Sequence, residues 1–280
     1  MYSFSLLKGM SVENISEDVK NILANVPAPE VSKEELRAIF SFMDFTSLEG
    51  SDNNHKIEAF CKKALSFGDN GLPLPAAVCI YPPFISLAKQ ILKGTPIRVA
   101  TTAAAFPSGQ MPLKVKREEV KYAIAEGADE IDVVISRGTF IEGEYRKIFR
   151  ELDSMRELAE HNTLKVILET GELVTPENIA MASEIAMEAG GAFFKTRTGK
   201  KSPAGTGERV YVMLLAIREY HRQTGKKVGI KPAGGISDPQ KALNYYWLVK
   251  EVLGEQWLSP TLFRIGASRL ADQIISNLSQ

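Results

Sequence analysis

Histidine and cysteine are the scarcest chemistry-bearing residues of this 280-residue chain, with three histidines and two cysteines. His55 and His221 fall in stretches of helical pattern, and His161 precedes an apolar run. No histidine-containing cluster of the kind that holds zinc or another divalent catalytic metal is therefore expected. Two thiols, Cys61 and Cys79, cannot make a disulfide framework, and a reduced cytoplasmic setting is the expectation. Cys79 lies inside an apolar run and reads as a small buried residue rather than a nucleophile. Neither sign of charge is in excess, since Lys+Arg and Asp+Glu are both 34. That balance gives no electrostatic footprint for nucleic acid or an anionic membrane, although a neutral chain can still hold a basic pocket. Apolar runs of ~18 residues are missing, so no membrane span is expected. The first residues lack a basic stretch followed by a long apolar run, so no secretory leader is expected either. A Gly-x-Ser-x-Gly elbow and a Gly-x-Gly-x-x-Gly dinucleotide turn are both absent.

What the chain does have is an alternation of short apolar runs with helical patterns. The runs that read as strands are 40–45, 76–80, 98–102, 130–135, 165–168, 192–196, 228–231 and 263–265. They are apolar on both faces, as buried parallel strands are. Helix-period stretches between them include 117–126, 141–161, 177–189, 208–224 and 239–253, several of which stop at glycine. About eight strand–helix units over ~240 residues match a closed (β/α)8 barrel. Periodicity alone leaves an open doubly wound sheet as the alternative. The breaker cluster Val-Pro-Ala-Pro-Glu (26–30) reads as a loop. The expected organisation is a short helical N-terminal extension over residues 1–35 and one α/β barrel, a TIM barrel, over residues 36–280.

Barrel enzymes place their chemistry at the C-terminal ends of the strands. There the chain offers Asp44 and Thr46 on strand 1, Asp132 on strand 4, Glu169 on strand 5, Lys195 on strand 6 and Lys231 on strand 7. Neighbouring strands run about 5 Å apart, so the two lysines can lie close together. Two cations in one low-dielectric pocket do not both keep their protons easily, and one becomes a nucleophilic amine. Asp132 could balance the remaining charge and move protons. The plainer alternative is that both lysines snorkel to solvent or pair with Glu169 and Asp132. Glycine turns follow strands 6, 7 and 8, around Gly199, Gly234-Gly235 and Gly266. Such turns bring backbone N–H groups up to an anion, and the loops after strands 7 and 8 often hold phosphate in this fold. Ordinary strand-to-helix turns use the same residues.

The stretches 193–200 (Phe-Phe-Lys-Thr-Arg-Thr-Gly-Lys), 229–236 (Gly-Ile-Lys-Pro-Ala-Gly-Gly-Ile) and 263–268 (Phe-Arg-Ile-Gly-Ala-Ser) closely resemble the deoxyribose-phosphate aldolase family. So do 77–84, 130–134 and 166–173, and the resemblance runs in order over roughly residues 38–275. It implies a (β/α)8 barrel without metal or organic cofactor that cleaves 2-deoxyribose 5-phosphate reversibly to glyceraldehyde 3-phosphate and acetaldehyde. By the same resemblance Lys195 is the Schiff-base lysine, Lys231 the second lysine whose charge favours the neutral amine, and Asp132 the proton-relay carboxylate. Asp44 and Thr46 match the Asp-x-Thr near the substrate. Thr198, Gly199, Lys200, Gly234, Gly235, Gly266 and Ser268 fall on the substrate- and phosphate-binding turns.

The sequence departs from that pattern in places. Arg197 stands where the family usually has serine, Ser237 where arginine is frequent, and Arg269 follows Ser268 in place of serine or threonine. These arginines suggest that positive charge has been moved along the rim, with Arg269 placed to clamp phosphate and Arg197 turned either way by strand alternation. Small phosphorylated sugars and aldehydes are the expected partners, with no nucleic acid and no membrane. Self-association into a homo-oligomer is left open by the sequence. The competing readings are a Schiff-base aldolase with another aldehyde pair, and a non-catalytic phosphosugar-binding barrel.

Overall fold

The computed structural model describes residues 11–26, 32–69, 71–200 and 206–278. Eight strands alternate with helices: β1 (Met43–Thr46), β2 (Ala77–Ile80), β3 (Arg98–Ala103), β4 (Glu130–Val134), β5 (Thr163–Ile167), β6 (Phe193–Lys195), β7 (Gly229–Lys231) and β8 (Ile265–Ala267). They form one parallel sheet in the order β7-β6-β5-β4-β3-β2-β1-β8. Isolated bridges Ile230–Phe263 and Ala233–Gly266 join its two edges. The architecture is a (β/α)8 barrel, and every strand expected from the apolar runs is present.

Two boundaries move. Phe40, expected in the first strand, belongs to helix α2 (Lys33–Ser41), because Ser32 caps that helix and Leu36, Ile39 and Phe40 make its buried face. One apolar run thus serves a helix end and then a strand. The last strand lies two residues later than expected, and Phe263 contributes only a bridge. A Cβ on Gly266 would stand 2.9 Å from that of Ala233, so the barrel closes at the point where the side chain is smallest.

The outer layer is helical. Helix α1 (Val12–Ala24) carries a capping box at Ser11 and buries Ile15 and Val19. Next come α3 (Asn54–Asp69), α4 (Ile85–Ile91), α5 (Leu113–Ala125), α6 (Arg137–Ile141), α7 (Tyr145–Leu158), α8 (Thr170–Leu173) and α9 (Pro176–Glu188). The layer ends with α10 (Gly207–Thr224), α11 (Pro239–Leu253) and α12 (Leu270–Leu278), and α1 packs against α10 and α11. The helix expected over 141–161 is α7, shorter at both ends, and Ile141 instead closes the separate short helix α6. The breaker cluster at 26–30 lies, apart from Val26, outside the described residues. Among the described residues no helix is long and apolar enough to cross a membrane.

Leucine, isoleucine, valine and phenylalanine fill the layer between sheet and helices. The barrel interior differs. Asp44, Glu130, Asp132, Lys165, Lys195, Lys231 and Arg264 are all buried on the strands or beside them. Phe193 supports this interior, with its ring centroid 5.6 Å from the Arg264 guanidinium. Gly229 is its register partner across β6 and β7, and a Cβ there would lie 2.4 Å from the Phe193 ring. Gly229→Ala should therefore cost roughly 1–3 kcal/mol by overpacking. A urea titration would show it as a lower midpoint at unchanged slope. A midpoint equal to that of the parent would mean that the ring yields freely.

Candidate active site

The register of the sheet assembles the site. Lys195 of β6 pairs directly with Lys231 of β7, and Asp132 of β4 pairs with Lys165 of β5. With alternation along each strand, these four side chains share the inward face. Lys195 Nζ donates to Asp132 Oδ2 at 2.9 Å, and Lys231 Nζ donates to the same oxygen at 2.8 Å. Both lysines are therefore buried and paired, and neither snorkels to solvent. The carboxylate that receives them is Asp132, while Glu169 is engaged elsewhere.

Below that pair the charges continue. Lys231 Nζ also stands 2.5 Å from Asp44 Oδ2. Lys165 Nζ reaches Asp44 at 3.1 Å, Asp132 at 3.1 Å and Glu130 at 2.6 Å. Arg264 joins Asp44 at 2.6 Å and Glu130 at 2.7 Å. Lys165, Glu130 and Arg264 were not among the expected site residues. The signal was present: a lysine in the middle of an apolar parallel strand needs a buried carboxylate, and Glu130 shares Asp132's face at i, i+2.

Burial alone would raise the Asp44 carboxyl, but Lys165, Lys231 and Arg264 outweigh it and hold the group well below the usual carboxylate range. Asp132 is held down in the same way by Lys165, Lys231 and Lys195 against its own burial. Burial would lower Lys165 and Lys231, yet the surrounding carboxylates win and raise both above the ordinary lysine value. Burial pushes the Cys79 thiol up, with Lys231 opposing, which keeps this residue a poor nucleophile.

Above Lys195 opens a cleft of about 290 Å³. Thr46, Lys195, Thr198, Gly199, Lys200, Gly234, Gly235, Gly266, Ser268 and Arg269 line it. All the turn residues singled out in the sequence thus face one space. Asp44, Asp132 and Lys231 do not line it and lie in the charged interior. Thr46 Oγ1 donates to the Asp44 carbonyl at 2.7 Å. Thr198 gives its backbone N–H and its hydroxyl to Glu169 Oε2, at 3.0 and 2.5 Å. Lys200 pairs with Glu49 at 3.0 Å on the rim. Arg269 is exposed at the cleft edge, whereas Arg197 is buried and does not line it. Phe106 holds its ring centroid 5.8 Å from Lys195 Nζ, an aromatic wall that the sequence did not reveal.

A family model described as DeoC/LacD family aldolase matches residues 37–245. The chain is 44% identical over 252 residues to a human protein called deoxyribose-phosphate aldolase, covering 85% of this chain and 79% of that one. A mouse protein of the same name is 42% identical over 252 residues, with the same coverage of each chain. Among solved structures, a tetrameric deoxyribose phosphate aldolase from Aeropyrum pernix superposes with a TM-score of 0.68 at 21% identity, over 95% of this chain and 98% of that chain. At that identity the superposition speaks for the fold alone.

The charged interior makes stability depend on pH in a definite direction. The unfolded chain binds protons on Asp44 and Asp132 near pH ~3.9, where the native carboxylates still refuse them. Stability should therefore hold through neutrality and fall as pH drops below about 4. On the alkaline side it should fall only above about 10.4, where the unfolded lysines release protons that Lys165 and Lys231 keep. Lys165→Met should cost roughly 3–5 kcal/mol at neutral pH, and less in acid, where the orphaned carboxylates can protonate. Thermal midpoints of parent and variant across pH would check both statements. A loss that stays constant down to pH 3 would contradict the electrostatic account.

Proposed function

The chain belongs to the DeoC/LacD family of aldolases, and from that membership and the buried lysine pair we propose that it forms a Schiff base at Lys195. The proposed reaction cleaves 2-deoxy-D-ribose 5-phosphate reversibly to D-glyceraldehyde 3-phosphate and acetaldehyde. The observation that carries the reading is the single oxygen, Asp132 Oδ2, shared by Lys195 and Lys231.

Charge counting among the described residues supports Lys195 as the nucleophile. Lys165, Lys195, Lys231 and Arg264 face only Asp44, Glu130 and Asp132 in the interior. One proton is surplus. Lys165 touches three carboxylates and Lys231 two, while Lys195 has one, and that one is shared. Lys195 also borders the cleft. It is the lysine placed to meet a carbonyl.

The neutral amine adds to C1 of the open-chain sugar, and the carbinolamine hydroxyl takes a proton from the Asp132–Lys231 pair and leaves as water, giving a protonated imine. A two-carbon product requires the C2–C3 bond to break. Its electrons flow into the imine and yield a neutral enamine, while the proton of the C3 hydroxyl leaves through water to the Asp132–Lys231 pair. The same pair returns a proton to C2. Water then releases acetaldehyde and the amine. Asp132 Oδ2 touches both lysines and is thereby placed between them on the proton path, with Lys231 as the proton holder. Asp44 serves by holding Lys231 and Lys165 in place. The turns at Thr198–Lys200, Gly234–Gly235 and Gly266–Arg269 receive the phosphate, whose binding energy positions the reacting end. A non-catalytic phosphosugar-binding barrel would not need the surplus buried cation. An aldolase of another aldehyde pair would keep Lys195 and differ in the cleft.

Borohydride with acetaldehyde should attach a two-carbon adduct to Lys195, mapped by peptide mass spectrometry. A label on Lys231, or none, would remove the assignment. Lys231→Leu removes the like charge that stands beside Lys195. Activity should fall by roughly tenfold or more at neutral pH and recover partly in alkali. A pH–rate profile of unchanged shape would rule this out. Arg269→Ser should raise KM for deoxyribose 5-phosphate by more than about tenfold, a loss of ~1.4 kcal/mol, with a much smaller effect on unphosphorylated deoxyribose. Equal losses on both sugars would show that Arg269 does not hold phosphate.

A further inference from the structure

The geometry points to Arg197 as a positioning residue that braces the two glycine turns of the phosphate site from beneath. This rests on the reading of those turns as the phosphate site. Arg197 follows β6 by two residues and is only 4% exposed. Its Nη1 donates to the Gly234 carbonyl at 3.5 Å. Its Nε faces Glu169 Oε1 at 3.6 Å. Glu169 in turn accepts both the N–H and the hydroxyl of Thr198 on its other oxygen. The guanidinium thus sits between the Thr198–Gly199 turn after β6 and the Gly234–Gly235 turn after β7.

The contact with the second turn is close. Gly234 has φ +84°, a left-handed conformation that favours glycine. A Cβ there would lie 3.0 Å from Arg197 Nη1 and 3.2 Å from Cζ. The backbone of the turn therefore rests directly on the guanidinium, and moving one moves the other. Thr196 strengthens the same seam, since its hydroxyl accepts from Ala233 N–H at 3.0 Å. Three consecutive residues of the β6 end thus tie the two turns together.

Glu169 is what keeps Arg197 there. It is fully buried, adopts φ +54°, and has Arg137 Nη1 3.8 Å from its Oε2. Arg137 lies closer to Glu172, at 2.6 Å, which leaves Glu169 to face Arg197. Arg197 does not line the cleft, so it acts on phosphate only through the turn it supports.

The test compares Arg197→Met, of similar bulk and without charge, with Arg197→Lys. Competitive inhibition by inorganic phosphate, KM and kcat for deoxyribose 5-phosphate, and the thermal midpoint are measured for each. Arg197→Met should raise KM and the phosphate inhibition constant by about tenfold or more, while kcat keeps at least about a third of its value. Arg197→Lys should restore at least half of the lost affinity. Unchanged phosphate inhibition in Arg197→Met would overturn the inference. So would parallel losses in kcat and affinity, or no recovery with lysine. Should Arg197→Met fail to fold, Glu169→Gln is read in the same way, with a rise of about threefold or more expected for both constants. No rise would overturn the proposal. Absence of phosphate inhibition in the parent enzyme would instead overturn the placing of phosphate on these turns, and the brace with it.

Discussion

The structure depends on one costly arrangement, a set of seven charged groups sealed inside a barrel whose interior would ordinarily be packed with branched apolar side chains. Taking an ion out of water costs several kcal/mol even after relaxation, so each must find a partner. Four cations against three carboxylates cannot do so completely. The group with fewest contacts is Lys195, at the mouth of the barrel beside the cleft. On the proposed function, reactivity follows from incomplete neutralisation at the one end of the set that opens to the cleft.

The same arrangement explains why Lys165, Glu130 and Arg264 matter although they never reach the cleft. Without Lys165, Asp132 would lose an opposing charge and become a place for protons to rest. Without Arg264, Asp44 would turn more fully to Lys231 and Lys165. Because every member shares oxygens with another, the set has little freedom to rearrange. That rigidity keeps the amine and the relay carboxylate at hydrogen-bond distance without substrate.

The eight strands were legible in the sequence because each is a short apolar run bounded by turn residues, and buried parallel strands have that look. The meeting of Lys195, Lys231 and Asp132 was legible because the strand ends of a barrel converge on one face. Phe40 was misplaced since an apolar run carries no mark at the residue where a helix stops and a strand begins. Lys165 stayed hidden for another reason. It lies in mid-strand, where a lysine is read as an edge residue unless its register partner is known. Phe106 owes its position to a loop after β3 in which Ala104 and Ala105 take φ near +60°. Nothing in the composition of that loop announces such a path.

Two devices meet between β6 and β7. One residue register, Lys195 opposite Lys231, sets the electrostatics of the amine. The next two residues, Thr196 and Arg197, fasten the turns that face the cleft. Alternation sends Lys195 inward, while the strand ends immediately after it and the chain turns to hold its neighbour. A slip of one residue would reverse the facing of the lysine and unhook both turns together. The turns and the Lys195 amine are thus coupled through the backbone of three residues. On the proposed function, binding energy gathered at one end of a substrate holds its other end against Lys195 with little intervening slack.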